Sequence, residues 1–113
     1  MSLIVQKFGG TSVADADRLR HVAKIITDTY AKGHRVVAVL SAQGDTTDEL
    51  IEKAKEINPN PSPREMDMLL STGEQSSVSL CAMAIEAMGY PVVSLTGWQS
   101  GILTNTVSMN ARI

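Results

Sequence analysis

A lysine, two glycines and two hydroxyl residues stand close together near the start of the chain, in the segment Lys7-Phe8-Gly9-Gly10-Thr11-Ser12. Glycines leave main-chain N–H groups accessible, and a helix that begins just after them adds the positive end of its dipole. An adjacent ammonium group supplies the full positive charge that phosphoryl transfer uses. The segment predicts a phosphate site with Lys7 as its leading catalytic residue, unless the glycines form only a tight turn beside a solvated lysine.

This segment does not match the two familiar glycine-rich nucleotide motifs. It is neither Gly-x-x-x-x-Gly-Lys-[Ser/Thr] nor Gly-x-Gly-x-x-Gly. The sequence therefore gives no support for a Walker-type NTPase or for a dinucleotide site.

A second polar segment, 41–48, follows the apolar run 36–40 and contains Ser41 and Thr47. Its hydroxyls, amides and helix N-terminus are suited to a phosphate or to a substrate carboxylate. Helix capping by Thr46 or Thr47 accounts for the same residues almost as well. Further along, Glu74 is a candidate partner for a substrate ammonium, and the alternative is an ordinary solvated glutamate. The residue types leave both alternatives open.

The other reactive residue types give no comparable indication of a functional site. His21 and His34 are far apart and lack cysteine or carboxylate partners at ligand spacing, so a zinc site is not expected. Cys81 lies in an apolar helical stretch and is interpreted as a buried small hydrophobe rather than a nucleophile. Trp98 receives no assignment.

Hydrophobic periodicity and glycine or proline breaks predict the elements that position these residues. Apolar residues of the first helix recur at steps of three and four, and the run 36–40 is typical of a strand buried on both faces. Gly73 interrupts the last helical stretch and indicates either two consecutive helices or close packing. The predicted elements are a strand at 3–6, a helix at 15–32, a strand at 35–41, a helix from about 48 to 57, an extended proline-rich connection at 58–63, a helical stretch at 64–88, a strand at 92–95 and a polar loop at 96–101.

This order of elements predicts an α/β fold, with right-handed crossovers and a mainly parallel sheet covered by helices on both sides. With 113 residues the chain forms one small domain or part of one. A net charge of -2 without a basic run gives no support for a nucleic-acid or membrane partner, and the short apolar runs rule out a membrane span. A single cysteine and no signal-peptide pattern lead us to expect a cytoplasmic protein.

Four segments together closely resemble aspartate kinases of the amino-acid kinase superfamily, in order and in spacing: 5–13, 41–48, 71–75 and 110–113. Acetylglutamate, glutamate and uridylate kinases of the same superfamily have a related Lys-x-Gly start. Phe8 and Gly10-Thr11-Ser12 resemble the aspartate kinase version. The resemblance implies a three-layer α/β/α domain of the amino-acid kinase type. In that domain, residues 1–113 form the N-terminal part, without an ACT regulatory domain.

The resemblance also implies an activity, which is transfer of phosphate from MgATP to L-aspartate as the first step toward lysine, threonine and methionine. Lys7 would bind the ATP phosphates and stabilise the transferred group, with Phe8, Gly9, Gly10 and Ser41 in the same phosphate site. Thr47 and Glu74 would hold aspartate. Magnesium would sit mainly on the nucleotide phosphates, with no protein ligand assigned, and the parent enzyme would be a homo-oligomer.

The sequence departs from the family pattern at Gln43, where methionine is common, and the stretch 105–109 has no clear counterpart. The family's later segments supply an arginine for the substrate carboxylate, further phosphate contacts and the adenine pocket. We therefore expect the 113 residues alone to be inactive. Two alternatives remain, a non-catalytic self-associating fragment and another member of the superfamily.

Overall fold

The computed structural model describes residues 2–95 and 108–109. Within these residues, four strands and three helices follow one another, with a short 3-10 turn at Gly10–Val13 after the first strand. The strands are β1 (Leu3–Phe8), β2 (Arg35–Leu40), β3 (Val93–Ser94) and β4 (Ser108–Met109), and the helices are α1 (Ala16–Ala31), α2 (Thr46–Ile57) and α3 (Pro63–Ala87).

The described strands form one parallel sheet in the order β1-β2-β4-β3. β1 was predicted to end at Gln6 but continues to Phe8, because Lys7 and Phe8 pair with Val39 and Leu40 of β2. The predicted third strand, at 92–95, is confirmed as β3, which has only two residues. β4 was not predicted, and it separates β3 from β2. The α/β class with a parallel sheet is confirmed.

Helices α1 and α3 pack against each other and against β2. Both crossovers advance in the same direction across the sheet, and right-handed crossovers of that kind place their helices on the same face. Val36, Ala38 and Leu40 are buried on this face. The opposite face of β1 carries Leu3 and Val5, which are 50 % and 58 % exposed. Helices covering this second face are not among the described residues.

The periodic helix α1 is confirmed almost to the residue. Leu19, Val22 and Ile26 are buried in the core, as their spacing predicts. The Asp15 side chain caps the helix by accepting from the Arg18 N–H at 2.8 Å. Gly33 follows the helix with a φ of 95°, a left-handed conformation that favours glycine.

The start of α2 differs from the prediction. Neither Thr46 nor Thr47 is the cap, because both lie inside the first turn of the helix, and the residue at the cap position, Asp45, makes no side-chain capping bond. A main-chain turn begins the helix instead, in which the Thr46 N–H donates to the Gln43 carbonyl at 2.9 Å. Neither threonine hydroxyl therefore caps this helix.

Helix α3 is continuous over 25 residues, so the two-helix alternative is wrong and the close-packing alternative is confirmed. A β-carbon built on Gly73 would lie 2.9 Å from Ala42 Cβ and 3.3 Å from Thr46 Cγ2. The proline-rich connection ends with Ser62 as the cap of α3, and its hydroxyl accepts from the Glu65 N–H at 3.3 Å.

Two further points concern the segments that are not described and the possibility of a membrane-spanning helix. The predicted loop at 96–101, with Trp98, and the segment 110–113 lie outside the described residues. In the part of the chain that is described, no helix has both the length and the apolar character needed to cross a membrane.

Candidate functional site

The carboxyl ends of β1 and β2 lie side by side, which brings together the loops that follow them. We call residues 9–15 the first loop and residues 41–45 the second loop. Two main-chain hydrogen bonds hold this region together, one from the second loop to the end of β1 and one between the two loops. The Ser41 N–H donates to the Phe8 carbonyl and the Gly44 N–H donates to the Gly10 carbonyl, each at 3.0 Å. Parallel α/β sheets bind ligands at this edge.

The side chain of Gln43 adds a third link between the loops. Its Nε2 donates to the Val13 carbonyl at 2.9 Å, across thirty positions of sequence. The sequence analysis noted Gln43 only as a departure from a family pattern. No local signal could have revealed the link, because its partner is distant along the chain.

The two glycines of the first loop have different surroundings. A β-carbon on Gly10 would lie 2.8 Å from the Ala42 carbonyl oxygen, so the second loop requires glycine at this position whatever binds there. A β-carbon on Gly9 would meet nothing within 4 Å. The main chain at Gly9 is therefore open to the approach of a ligand.

Lys7 and Phe8 point to opposite faces of β1, as successive strand residues do. Lys7 is exposed on the face that also carries Val5. Phe8 is half-buried and packs against the core formed by α1, α3 and β2. Its carbonyl already accepts from Ser41. Any role of Phe8 at the loops is consequently a main-chain or packing role.

A cavity of about 260 Å³ opens beside the second loop, between the first turn of α2 and the N-terminal half of α3. It brings together three predicted site residues, Ser41, Thr47 and Glu74. Lys7, Phe8, Gly9 and Gly10 are not among its described lining residues. The lining consists of Ser41, Ala42, Thr47, Asp67, Leu70, Ser71 and Glu74.

Helix α3 contributes one face to this cavity. Asp67, Leu70, Ser71 and Glu74 follow the helical spacing of three, four and seven residues, which aligns side chains on one side of a helix. The sequence analysis chose Glu74 and missed Asp67 and Ser71. The same spacing, counted back from Glu74, would have found both. Glu74 is half-buried and Asp67 is exposed.

The polar lining is predominantly of acceptor type. The Ser71 hydroxyl donates to the Met68 carbonyl at 2.7 Å and accepts from the Gln75 Nε2 at 3.4 Å, so its remaining capacity is that of an acceptor. Two carboxylates, Asp67 and Glu74, share this wall. Carboxylate and hydroxyl oxygens form charge-assisted hydrogen bonds with an ammonium group. This wall of the cavity is chemically suited to an amine.

Cys81 is excluded as a nucleophile. It is fully buried in the core, and burial raises the pKa of its thiol from 9.0 to about 12. Only the thiolate is nucleophilic, so the residue is unreactive near neutral pH. The interpretation of Cys81 as a core residue is confirmed. Over the described ranges, no three histidine, cysteine or acidic side chains cluster closely enough to hold a metal ion.

Comparison with known proteins places this geometry in a family. The family described as the amino acid kinase family matches residues 2–112. The chain belongs to the amino acid kinase family.

Within this family the chain is similar to aspartokinases. It is 58% identical over 113 residues to an aspartokinase of Geobacillus stearothermophilus and 54% identical over 113 residues to aspartokinase 2 of Bacillus subtilis. In both cases all of this chain is covered, and the chain spans 28% of the length of the relative.

Solved structures of two aspartate kinases share the fold. The enzyme from Synechocystis aligns with a TM-score of 0.83 and 52% identity, covering 86% of this chain and 17% of that one. Aspartokinase III of E. coli, in complex with aspartate and ADP, aligns with a TM-score of 0.67 and 22% identity, covering 84% of this chain and 31% of that one. At 22% identity, the second comparison shows only that the fold is shared.

Proposed function

We propose that this chain is the N-terminal part of the catalytic domain of an aspartate kinase. The complete protein transfers the γ-phosphoryl group of ATP to the side-chain carboxylate of L-aspartate and releases ADP and 4-phospho-L-aspartate. The observation that carries the proposal is the cavity in which Ser41, Thr47 and Glu74 meet, directly beside the paired loops. Similarity to aspartokinases over the whole chain supports the same conclusion.

The cavity is assigned to aspartate. Glu74 forms an ion pair with the substrate ammonium, while the Thr47 hydroxyl, at the N-terminal end of α2, donates to a substrate carboxylate. Thr47 is available for this bond because it does not cap its own helix. A cavity of about 260 Å³ has room for a small amino acid but not for a nucleotide.

The first loop is assigned to the ATP phosphates. The open main chain at Gly9 and the adjoining Gly10 approach the phosphate oxygens, and Ser41 lies at the boundary between the two substrates. Phe8 contributes through its main chain and through core packing. Lys7, at the end of β1, places its ammonium group against the transferred phosphoryl oxygens.

The reaction itself needs little proton transfer. An oxygen of the aspartate side chain attacks the γ-phosphorus, the new P–O bond forms, and the bond to the β-γ bridging oxygen breaks with its electrons leaving on ADP. The attacking carboxylate, with an ordinary pKa of about 3.9, is already ionised at neutral pH. Charge stabilisation by Lys7 is therefore the main contribution of these residues.

Magnesium accompanies the nucleotide in this proposal. Mg²⁺ retains several waters and commonly binds substrate phosphates with one or two carboxylates. The ion supplies positive charge on the phosphates when it is bound.

The wider setting follows from the same proposal. Residues 1–113 form part of a single catalytic domain, and any ACT regulatory domain belongs to other parts of the complete protein. The enzyme is a cytoplasmic homo-oligomer that begins the biosynthesis of lysine, threonine and methionine. Its partners are ATP and L-aspartate.

The test is a substrate panel on the full-length protein that carries this chain. Hydroxylamine traps the acyl phosphate product as aspartyl hydroxamate, which is measured beside ADP release with aspartate, glutamate, N-acetylglutamate and UMP as acceptors. We expect activity with aspartate alone. Activity with another acceptor and none with aspartate assigns the chain to a different branch of the amino acid kinase family. The 113-residue chain, assayed in parallel, is expected to be inactive.

One observation favours a second function for the chain in isolation. β1 is the outer strand of the described sheet, and its exposed face carries Leu3 and Val5. An exposed edge strand with apolar side chains promotes association with another strand. The isolated chain is thus a candidate self-associating fragment, whatever the activity of the complete protein.

A further inference from the structure

The α3 wall of the cavity carries two carboxylates at different distances from the second loop. Glu74 directly follows Gly73, which lies against Ala42, so Glu74 is at the loop end of the cavity. Asp67 lies almost two helical turns, about 10 Å, nearer the start of α3. The ammonium group of a small amino acid can contact only one of these two side chains. Glu74 has that role in the proposed function, which leaves the charge of Asp67 without an assigned function.

The Asp67 carboxylate is not neutralised within the described part of the chain. Asp15, Asp17 and Asp28 each form an ion pair with a basic side chain one turn away. Among the described residues, Asp67 takes part in no ion pair or side-chain hydrogen bond. It lines the cavity and is exposed to solvent, which places it at the mouth. Its negative charge therefore acts on the molecules that enter.

The opposite wall of the cavity favours negative charge. Thr47 lies in the first turn of α2, where the helix dipole is positive and attracts a carboxylate. A molecule that carries both an ammonium and a carboxylate group can satisfy both walls. A dicarboxylate without an ammonium group meets only repulsion along α3. Two like charges about 8 Å apart near a protein surface change affinity by roughly three- to tenfold.

We infer that Asp67 is a specificity-determining residue that excludes dicarboxylates lacking an ammonium group from the cavity. The inference rests on the proposed function, in which the cavity binds aspartate. Aspartate brings its ammonium group to the α3 wall, and the attraction of this group to Asp67 offsets the repulsion of the substrate carboxylates. Succinate has the same carbon chain and both carboxylates but no ammonium group, so the repulsion is not offset. Glu74 binds the amine by direct contact, and Asp67 selects for it at a distance through its charge.

Three variants of the full-length protein separate charge from shape. Asp67→Asn removes the charge and keeps the size, whereas Asp67→Glu keeps the charge. Glu52→Gln is the control, because it removes one negative charge at an exposed position of α2 that does not line this cavity. For each protein, KM for aspartate and the inhibition constant Ki of succinate competing with aspartate are measured at low and at high salt. Thermal midpoints establish that the variants are folded.

We expect Asp67→Asn to lower Ki for succinate by about three- to tenfold, because the repulsion is removed. KM for aspartate should rise by no more than about threefold, since exposed charge pairs contribute little. Raising the salt concentration from about 0.1 M to about 1 M shortens the screening length from about 10 Å to about 3 Å. The wild type should therefore lose part of its preference for aspartate at high salt, while Asp67→Asn changes less. Asp67→Glu and Glu52→Gln behave as wild type.

Several results would overturn the inference. An unchanged Ki for succinate in Asp67→Asn excludes the selective role of Asp67. An equal decrease in Glu52→Gln shows an effect of net charge alone. A decrease in Asp67→Asn that is the same at both salt concentrations contradicts action at a distance. A wild-type protein that fails to phosphorylate aspartate overturns the proposed function, whereas an active wild type whose Asp67→Asn variant binds succinate equally well overturns only the assignment of Asp67.

Discussion

Gly73 of helix α3 lies directly against Ala42 of the second loop, and a β-carbon added at Gly73 would come within 2.9 Å of Ala42 Cβ. This contact sets how closely α3 approaches the end of β2. Leu70, Ser71 and Glu74, on the same part of the helix, line the cavity beside that contact. The absence of one side chain thus determines the width of the proposed aspartate site.

Gly73→Ala is expected to destabilise the protein. Alanine in an exposed helix position would stabilise by about 1 kcal/mol relative to glycine. Here the added methyl group meets a short, rigid neighbour, and overpacking of this kind costs about 1–3 kcal/mol. Urea denaturation should therefore show a net loss of stability. Ser79→Ala, at an exposed position of α3, is the control, and a more stable Gly73→Ala protein would contradict the packing argument.

Lys7→Ala is expected to reduce kcat of the full-length enzyme by about 100-fold or more, the effect of removing a principal electrostatic contact to the transition state. Lys7 is exposed at the end of β1, so its truncation should leave the thermal midpoint almost unchanged. Lys53→Ala, at an exposed position of α2, controls for loss of one positive charge. The hydroxamate assay provides the measurement, and wild-type turnover in Lys7→Ala would remove Lys7 from the mechanism.

Glu74→Gln is expected to raise KM for aspartate by about 10- to 100-fold, because hydrogen bonds to charged groups contribute about 1.5–3 kcal/mol. KM for ATP should not change. Asp67→Asn tests the second carboxylate of the cavity, and its effect should be smaller because Asp67 is exposed to solvent. Glu52→Gln, on the surface of α2, is the charge control. Equal rises in KM for both substrates would argue against the assignment of Glu74 to aspartate.

The Cys81 thiol should make stability depend on pH in the alkaline range. Its pKa is raised by burial from 9.0 to about 12, so below pH 9 the group is neutral in both the folded and unfolded states. Above pH 9 the unfolded chain loses this proton first, and stability falls until the pH reaches the folded pKa. Cys81→Ala lacks this contribution.

Urea denaturation between pH 8 and 11 measures the free energy of unfolding of wild type and of Cys81→Ala. The difference between the two proteins is expected to change by up to about 1.4 kcal/mol per pH unit above pH 9. Native protein should also resist thiol alkylation at pH 8, whereas denatured protein reacts. A constant difference between the two proteins across this range would show that the thiol titrates normally in the folded state.

The isolated 113-residue chain is expected to self-associate at micromolar concentration through the exposed side of β1. Val5→Lys places a charge on this outer strand and should shift the population toward monomer, because charged residues on edge strands oppose pairing. Ile57→Lys is the control, since Ile57 is 83 % exposed and is the last residue of α2 rather than part of a strand. Sedimentation velocity distinguishes monomers from associated chains, and a wild-type chain that is entirely monomeric would exclude this association.

Local signals in the sequence were sufficient for much of this molecule. The spacing of Leu19, Val22 and Ile26 predicted both α1 and the side that it buries. The apolar run of β2 and the glycines after Lys7 predicted two parallel strands and the turn beside them. Such features depend on interactions within a few residues, so residue type and period are enough to reveal them.

Only the tertiary structure decided the rest. It placed β4 between β2 and β3, resolved Gly73 as a packing position, turned Asp67 toward the same cavity as Glu74, and joined Gln43 to Val13 across thirty positions. Each of these depends on segments that meet after the chain has folded back on itself, and no pattern within a single segment encodes the identity of its distant partner. The sequence alone determined which residues could bind a phosphate or an amine, and the packing of α2 and α3 against the ends of β1 and β2 determined which of them share a cavity.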